Sequence, residues 1–211
     1  GTLPSGRQQV EKIGAYTVIT TSMNYADSSK LTVKRMMDIA GGLVGCLITL
    51  LIMITVGPII YINSPGPIFF SQERIGRNGR KFKMYKFRSM YMDAEERKKE
   101  LMKQNRVSDG LMFKMENDPR VIGSEKGPGK GIGNFIRKTS LDEFPQFFNV
   151  LKGDMSLVGP HPELPFFVNR FKESIPLYMV KHQVRPGITG WAQVHGRKGV
   201  EWHERIKMNV W

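Results

Sequence analysis

Cysteine is nearly absent from this chain: its 211 residues include only Cys46. A single thiol excludes an intrachain disulfide framework and a cysteine-built zinc site. Cys46 lies in an apolar run, where a free thiol packs as a small hydrophobe. Acidic residues are also scarce. Asp and Glu total 19 against 32 Lys and Arg, giving a net charge of +13. Such a surplus favours anionic partners, whether nucleic acid, lipid head groups or phosphorylated substrates, without choosing among them. The first thirty residues lack the charged, apolar, small-residue order of a cleavable signal peptide. The glycines from Gly123 to Gly133 contain no G-x-x-x-x-G-K-[ST] string. The histidines His161, His182, His195 and His203 lack a familiar zinc spacing, and no nucleophile-elbow pattern is present.

Charge itself is missing from Ile39 to Gln72, and Leu43 to Ile62 is almost wholly apolar. A helix of about 20 residues is long enough to cross a bilayer core. Lys34 and Arg35 precede this stretch, while Arg74, Arg77, Arg80, Lys81 and Lys83 follow it. Basic flanks are held on the cytoplasmic side, so neither end is free to cross. Gly57-Pro58 can break the helix, because proline lacks a backbone donor. The sequence therefore predicts a membrane-inserted re-entrant helical hairpin, with Thr55 a candidate partner for carbonyls freed at the break.

Three regions are expected. Residues 1–33 read as an upstream linker or the remnant of a missing N-terminal domain. Residues 34–63 read as the re-entrant membrane helix. Residues 64–211 read as a cytoplasmic-face catalytic domain, with truncation at its C-terminus left open. The fold class expected is α+β, mainly helical with a small β-hairpin. Tyr16 to Thr21 has strand composition. Ser64-Pro65-Gly66-Pro67 is a rigid exit turn. Asn78-Gly79 suits a tight hairpin turn between strands at 68–72 and 81–86. Asp93 can cap a helix through about Gln104. The glycines of 123–133 mark a flexible loop, helices are expected at 141–151, 164–172 and 175–182, and 184–197 reads as irregular.

Ser140-Leu141-Asp142-Glu143 is the most informative tetrapeptide. It fits a capping box, with Ser140 at the N-cap and Glu143 three residues on. Its carboxylates would then sit on the first turn of a helix, after Arg137 and Lys138. There a carboxylate stays ionised, can bind Mg²⁺ and can act as a nucleophile. Lys86, Arg88, Arg137, Arg185 and Arg197 lie near turns. An arginine in a constrained loop is a good phosphate ligand, since its planar fork can hold two oxygens. Arg97-Lys98-Lys99 reads as a solvated face or a head-group patch.

Several strings together resemble one family. They are Lys34-Arg35 with Asp38, Ser64-Pro65-Gly66-Pro67, Tyr85-Lys86-Phe87-Arg88-Ser89-Met90 and the run from Arg137 to Gln146. Asn149 to Pro160 and Arg185-Pro186-Gly187-Ile188-Thr189-Gly190 complete the set. Over about Lys34 to Trp211 the chain resembles the bacterial sugar transferases, the monotopic phosphoglycosyl transferases. The resemblance implies transfer of a sugar 1-phosphate from a UDP-sugar to undecaprenyl phosphate in two steps. Asp142 would attack, UMP would leave, and the phosphosugar-aspartyl intermediate would be taken up by the lipid carrier. It implies Mg²⁺ held by Asp142 and Glu143, and a place in exopolysaccharide, capsule or O-antigen synthesis. The site would face the cytoplasm at the bacterial inner membrane, among anionic lipids. Lys86, Arg88, Arg137, His161, Arg185 and Arg197 would contact substrate phosphates. His161 stands where relatives often carry arginine, between Pro160 and Pro162.

Two other classes account for less of the sequence. A basic nucleic-acid-binding module would explain +13 but not the apolar run, and no nucleic-acid partner is expected. A membrane scaffold with a degenerate site would not need Asp142, Glu143 and Arg185 together. The sugar stays open, with glucose and galactose slightly favoured, as does assembly, a homo-oligomer included.

Overall fold

A computed structural model describes residues 7–13, 16–22, 28–104, 117–174, 178–190 and 194. Two compact units divide at Met37 and Asp38. In the first, strands β1 (Arg7–Ile13) and β2 (Tyr16–Ser22) form an antiparallel hairpin, with Arg7 opposite Ser22 and Ile13 opposite Tyr16. The strand expected at 16–21 is present, and it has a partner in the polar segment before it.

Helix α1 (Ser28–Asn63) runs through the boundary of the two units. It is long and apolar enough to cross a membrane by length and composition. The reversal expected at Gly57-Pro58 is not formed; the helix continues through Pro58. Thr55 Oγ1 donates to the carbonyls of Leu51 and Ile52 at 3.1 and 3.2 Å, an ordinary back-bond along the turn. The physical reason is that both sides of Pro58 are anchored: Val56 and Ile60 are buried in the core, and Gly57 abuts Ile68. Losing one donor does not turn a helix whose neighbours fix its direction.

In the second unit, one face of α1 is docked along its length. Asp38, Gly42, Gly45, Ile52, Val56 and Ile60 are buried at steps of three, four or seven residues, the spacing of one helical face. Asp38 accepts hydrogen bonds from Ser156 Oγ and Leu157 N, both at 2.9 Å. A Cβ at Gly42 would stand 2.6 Å from Leu151, and one at Gly45 would run into the Phe147 ring. Ile52, Val56 and Ile60 form one core with Phe87, Ile122 and Ile136. Leu43, Val44, Leu47, Leu51, Ile54 and Ile62 on the other side are exposed.

Strands β3 (Phe69–Ile75) and β4 (Lys81–Phe87) pair antiparallel, Phe69 opposite Phe87. Their turn places Asn78 at φ 56° and Gly79 at φ 73°, the conformations the Asn-Gly pair predicts. Helix α2 (Ala94–Gln104) follows Asp93, whose carboxylate accepts from Arg97 Nε at 2.8 Å. The glycine loop is folded back on itself: a Cβ at Gly123 would meet Gly131 Cα at 2.8 Å. It leads into α3 (Ile132–Lys138), then α4 (Gln146–Lys152), stopped by Gly153 at φ 92°. After α4 come β5 (Ser156–Val158), α5 (Pro165–Ser174) and β6 (Gly187–Thr189). The segment read as irregular supplies β6, which pairs parallel with β5. Gly159 and Gly187 lie back to back, where any Cβ would strike the facing backbone. Met84, Val150 and Met155 form a second core under this side.

Candidate active site

Asp142 and Glu143 lie in a 3-10 turn, Leu141–Glu143, ahead of α4. Ser140 is not a helix cap. It adopts φ 60°, ψ 17°, and its side chain makes no capping hydrogen bond. A left-handed non-glycine residue costs about 1–2 kcal/mol, and it re-aims the two residues that follow. Asp142 is turned inward, 9% exposed, while Glu143 Oε1 accepts from Lys86 Nζ at 2.9 Å.

Three contacts hold this turn. Thr49 Oγ1 on α1 donates to the Phe144 carbonyl at 3.0 Å. Asn149, fully buried in α4, accepts from Tyr85 N at 3.1 Å and donates to the Lys83 carbonyl at 2.8 Å. This pins β4 to α4 and so sets Lys86 beside Glu143. Leu141 and Phe144 pack against the core that contains Ile52 and Ile136.

Burial pushes the Asp142 carboxyl above the ordinary aspartate range, against the pull of Lys86; Glu143 adds to the rise and Arg137 opposes it. Desolvation of this carboxyl outweighs the pull of the nearby cations. Arg137, in the last turn of α3, is exposed. It also acts on Asp118. Burial alone would raise the Asp118 pKa, but hydrogen bonds and the ion pair to Arg120, with Arg137 beyond, bring it below the usual carboxylate value. Arg120 grips Asp118 with two bonds, of 2.8 and 2.6 Å.

The other expected phosphate ligands are placed as follows. Arg88 is buried, and its guanidinium donates to the carbonyls of Ser64 and Pro65, clamping the exit turn of α1. His161 lines a small cavity with Lys181, His182 and the prolines 160, 162 and 186. There Lys181 Nζ pairs with Glu163 at 2.8 Å, and the Tyr178 hydroxyl donates to the same carboxylate. Arg185 lines a different cavity, at the β3–β4 turn. Arg197 lies outside the described residues. The structure thus brings Lys86, Arg137, Asp142 and Glu143 together. The Asp118–Arg120 pair and Asn149 were not singled out from sequence. Arginine beside proline in Asp118-Pro119-Arg120 was the available signal for the first.

Among the described residues, no group of three or more His, Cys, Asp and Glu side chains could hold a metal alone. Mg²⁺, which keeps several waters and takes one or two carboxylates plus substrate phosphates, would need such partners beside Asp142 and Glu143 to complete its shell.

The bacterial sugar transferase family model matches residues 29–211. The chain is 44% identical over 206 residues to the galactosyl transferase CpsE of Streptococcus agalactiae, covering 97% of this chain and 43% of that protein. It is 42% identical over 177 residues to the UDP-N-acetylgalactosamine-undecaprenyl-phosphate N-acetylgalactosaminephosphotransferase of Aeromonas hydrophila, covering 83% and 37%. It is 40% identical over 156 residues to the UDP-glucose:undecaprenyl-phosphate glucose-1-phosphate transferase of Escherichia coli, covering 71% and 29%. The chain spans less than half the length of each of these relatives. With the family model covering all but its first 28 residues, and the carboxylate pair of its central motif gathered with Lys86 and Arg137, the chain belongs to the bacterial sugar transferase family.

Proposed function

We propose that this chain transfers a sugar 1-phosphate from a UDP-sugar to undecaprenyl phosphate, through a covalent intermediate on Asp142. The observation that carries the reading is the buried Asp142, beside the Glu143–Lys86 pair, in a turn fastened to an apolar helix. A carboxylate at such a position has a desolvated, fixed oxygen and cations at hand for phosphate charge.

In the first step an Asp142 oxygen attacks the phosphorus that bears the sugar. The bond from that phosphorus to the bridging oxygen breaks, and UMP leaves with the electron pair. In the second, a phosphate oxygen of undecaprenyl phosphate attacks the same phosphorus, and the Asp142–phosphorus bond breaks. The carboxylate is restored and undecaprenyl-diphosphate-sugar is released. Phosphoryl transfer of this kind depends on alignment and charge neutralisation. Lys86 and Arg137 supply positive charge, and Asn149 and Thr49 fix the geometry. Mg²⁺, held by Asp142 and Glu143, would neutralise further phosphate charge when bound.

The same reading places the chain on the cytoplasmic face of the bacterial inner membrane, in the first membrane step of polysaccharide synthesis. The domain docks on α1 from Asp38 to Ile60, about 33 Å of helix at ~1.5 Å per residue. Thr49, mid-helix, touches the turn that carries Asp142. If α1 crossed the bilayer, Lys86, Asp142 and Glu143 would lie near its centre, at a cost of several kcal/mol. A monotopic arrangement avoids this. The exposed apolar side of α1 meets lipid, both ends stay on one face, and the carboxylates reach the depth of a lipid phosphate. Anionic lipids suit the net charge of +13.

UMP release, screened across UDP-sugars with undecaprenyl phosphate and Mg²⁺, tests the proposal. Release with one or more UDP-sugars supports it; none with any of them refutes it.

A further inference from the structure

The turn of the β3–β4 hairpin carries a second concentration of positive charge. Arg77, Arg80, Lys81 and Arg185 line a cavity of about 490 Å³ together with Gly76, Asn78, Phe82, Gly153 and Asp154. Lys81 is paired with Glu73 at 2.9 Å. Asp154, the carboxylate in the lining, is engaged by Lys152 at 3.3 Å and by Asn149 Nδ2 at 3.3 Å. The side chains of Arg77, Arg80 and Arg185 have no hydrogen-bond or ion-pair partner among the described residues. Three like-charged arginines lining one cavity repel one another, and the C-terminal end of α4 at Gly153 offsets only part of that repulsion. The planar fork of an arginine matches the oxygens of a phosphate group.

This cavity is separate from the carboxylate site. Lys81 and Lys86 stand five positions apart on β4, roughly 17 Å at ~3.3 Å per residue, and Lys86 is the residue that meets Glu143. Lys86, Arg137, Asp142 and Glu143 are not among the residues that line the cavity. Arg185 lines this cavity beside the hairpin turn.

We propose that Arg77, Arg80 and Arg185 form a second anion site that takes a phosphate group, either of a soluble phosphate compound or of a lipid head group. It goes beyond the transfer reaction, and the binding readout uses no turnover, so its failure and that of the proposed function are distinguishable.

The chain is reconstituted in phosphatidylcholine nanodiscs and titrated calorimetrically with inorganic pyrophosphate. In parallel it is floated with phosphatidylcholine vesicles with and without phosphatidylglycerol. Arg77→Ala/Arg80→Ala is compared with the parent and with Arg77→Lys/Arg80→Lys. A loss of tenfold or more in pyrophosphate affinity in the alanine pair supports a site for soluble phosphates. Unchanged pyrophosphate binding with loss of the phosphatidylglycerol-dependent flotation supports a head-group site. Asp154→Asn, which removes the opposing charge and keeps an acceptor for Asn149, should strengthen whichever binding is seen. Changes of less than twofold in both assays for the alanine pair and for Asp154→Asn would overturn the proposal.

Discussion

Thr49 Oγ1 donates to the carbonyl of Phe144 at 3.0 Å, and so ties the middle of the apolar helix to the turn that carries Asp142 and Glu143. The same hydroxyl lies 2.7 Å from the Gly45 carbonyl, its own back-bond along the helix. One proton serves two acceptors, so the cross-link competes with a local bond that a serine could also make. Thr49→Val should cost about 1 kcal/mol of stability, the net value of one hydrogen bond, and should lower kcat more than it raises KM. Thr49→Ser should restore kcat. Equal kcat for the two variants would show that the link holds only the fold.

Gly45 sets how closely α1 approaches α4. Its missing side chain is where the Phe147 ring sits. Gly45→Leu should destabilise the domain by about 1–3 kcal/mol, the usual cost of overpacking, seen as a lower melting temperature in detergent. Gly45→Leu/Phe147→Ala should recover part of the loss. No recovery would mean that the contact does not limit the approach.

Asp142→Asn should abolish UMP release, while the melting temperature at pH 7 is unchanged or raised. The sign follows from the raised pKa. A carboxyl whose folded pKa lies above its unfolded one stabilises the fold when protonated, and that contribution disappears as pH rises through the folded value. Asparagine removes the buried charge and its penalty. An activity loss under tenfold, about 1.4 kcal/mol of barrier, would be too small for a nucleophile.

Ionised Asp142 is the reactive form, so UMP release should fall as pH drops, with a midpoint above the ordinary aspartate value. Lys86→Met removes the strongest opposing influence on that carboxyl. It should move the midpoint to higher pH and lower the plateau rate. A midpoint that stays in place in Lys86→Met would separate the pH dependence from Asp142.

In a Cys46→Ala background, cysteines at Thr32 and Asn78 should both be labelled from the cytoplasmic side by an impermeant maleimide. Labelling from opposite sides would establish a spanning helix and contradict the docked arrangement.

The parts of the fold legible in sequence are those fixed locally. Asn78-Gly79 encodes two positive φ values, Asp93 precedes α2, and the uncharged run from Ile39 encodes the apolar helix. What was not legible depends on distant partners. Pro58 is carried within α1 because Val56, Gly57 and Ile60 are held from across the core. The strand at Gly187 forms because Gly159 leaves room for it. Ser140 and Glu143 have the spacing of a capping box, but Glu143 meets Lys86 instead, a residue brought up by β4 and by the buried amide of Asn149. The carboxylate pair and Arg137 could be read from one string; the grouping of Arg185 with Arg77 and Arg80 required the hairpin to be placed.

The covalent step is tested most directly by intact-mass analysis of the chain after brief incubation with its UDP-sugar and Mg²⁺, without lipid carrier, quenched in acid. The mass should rise by one sugar phosphate less water, the adduct should map to the peptide containing Asp142, and undecaprenyl phosphate should discharge it. Asp142→Asn should show no adduct. UMP release that proceeds only with carrier present, with no adduct at any time, would contradict the account.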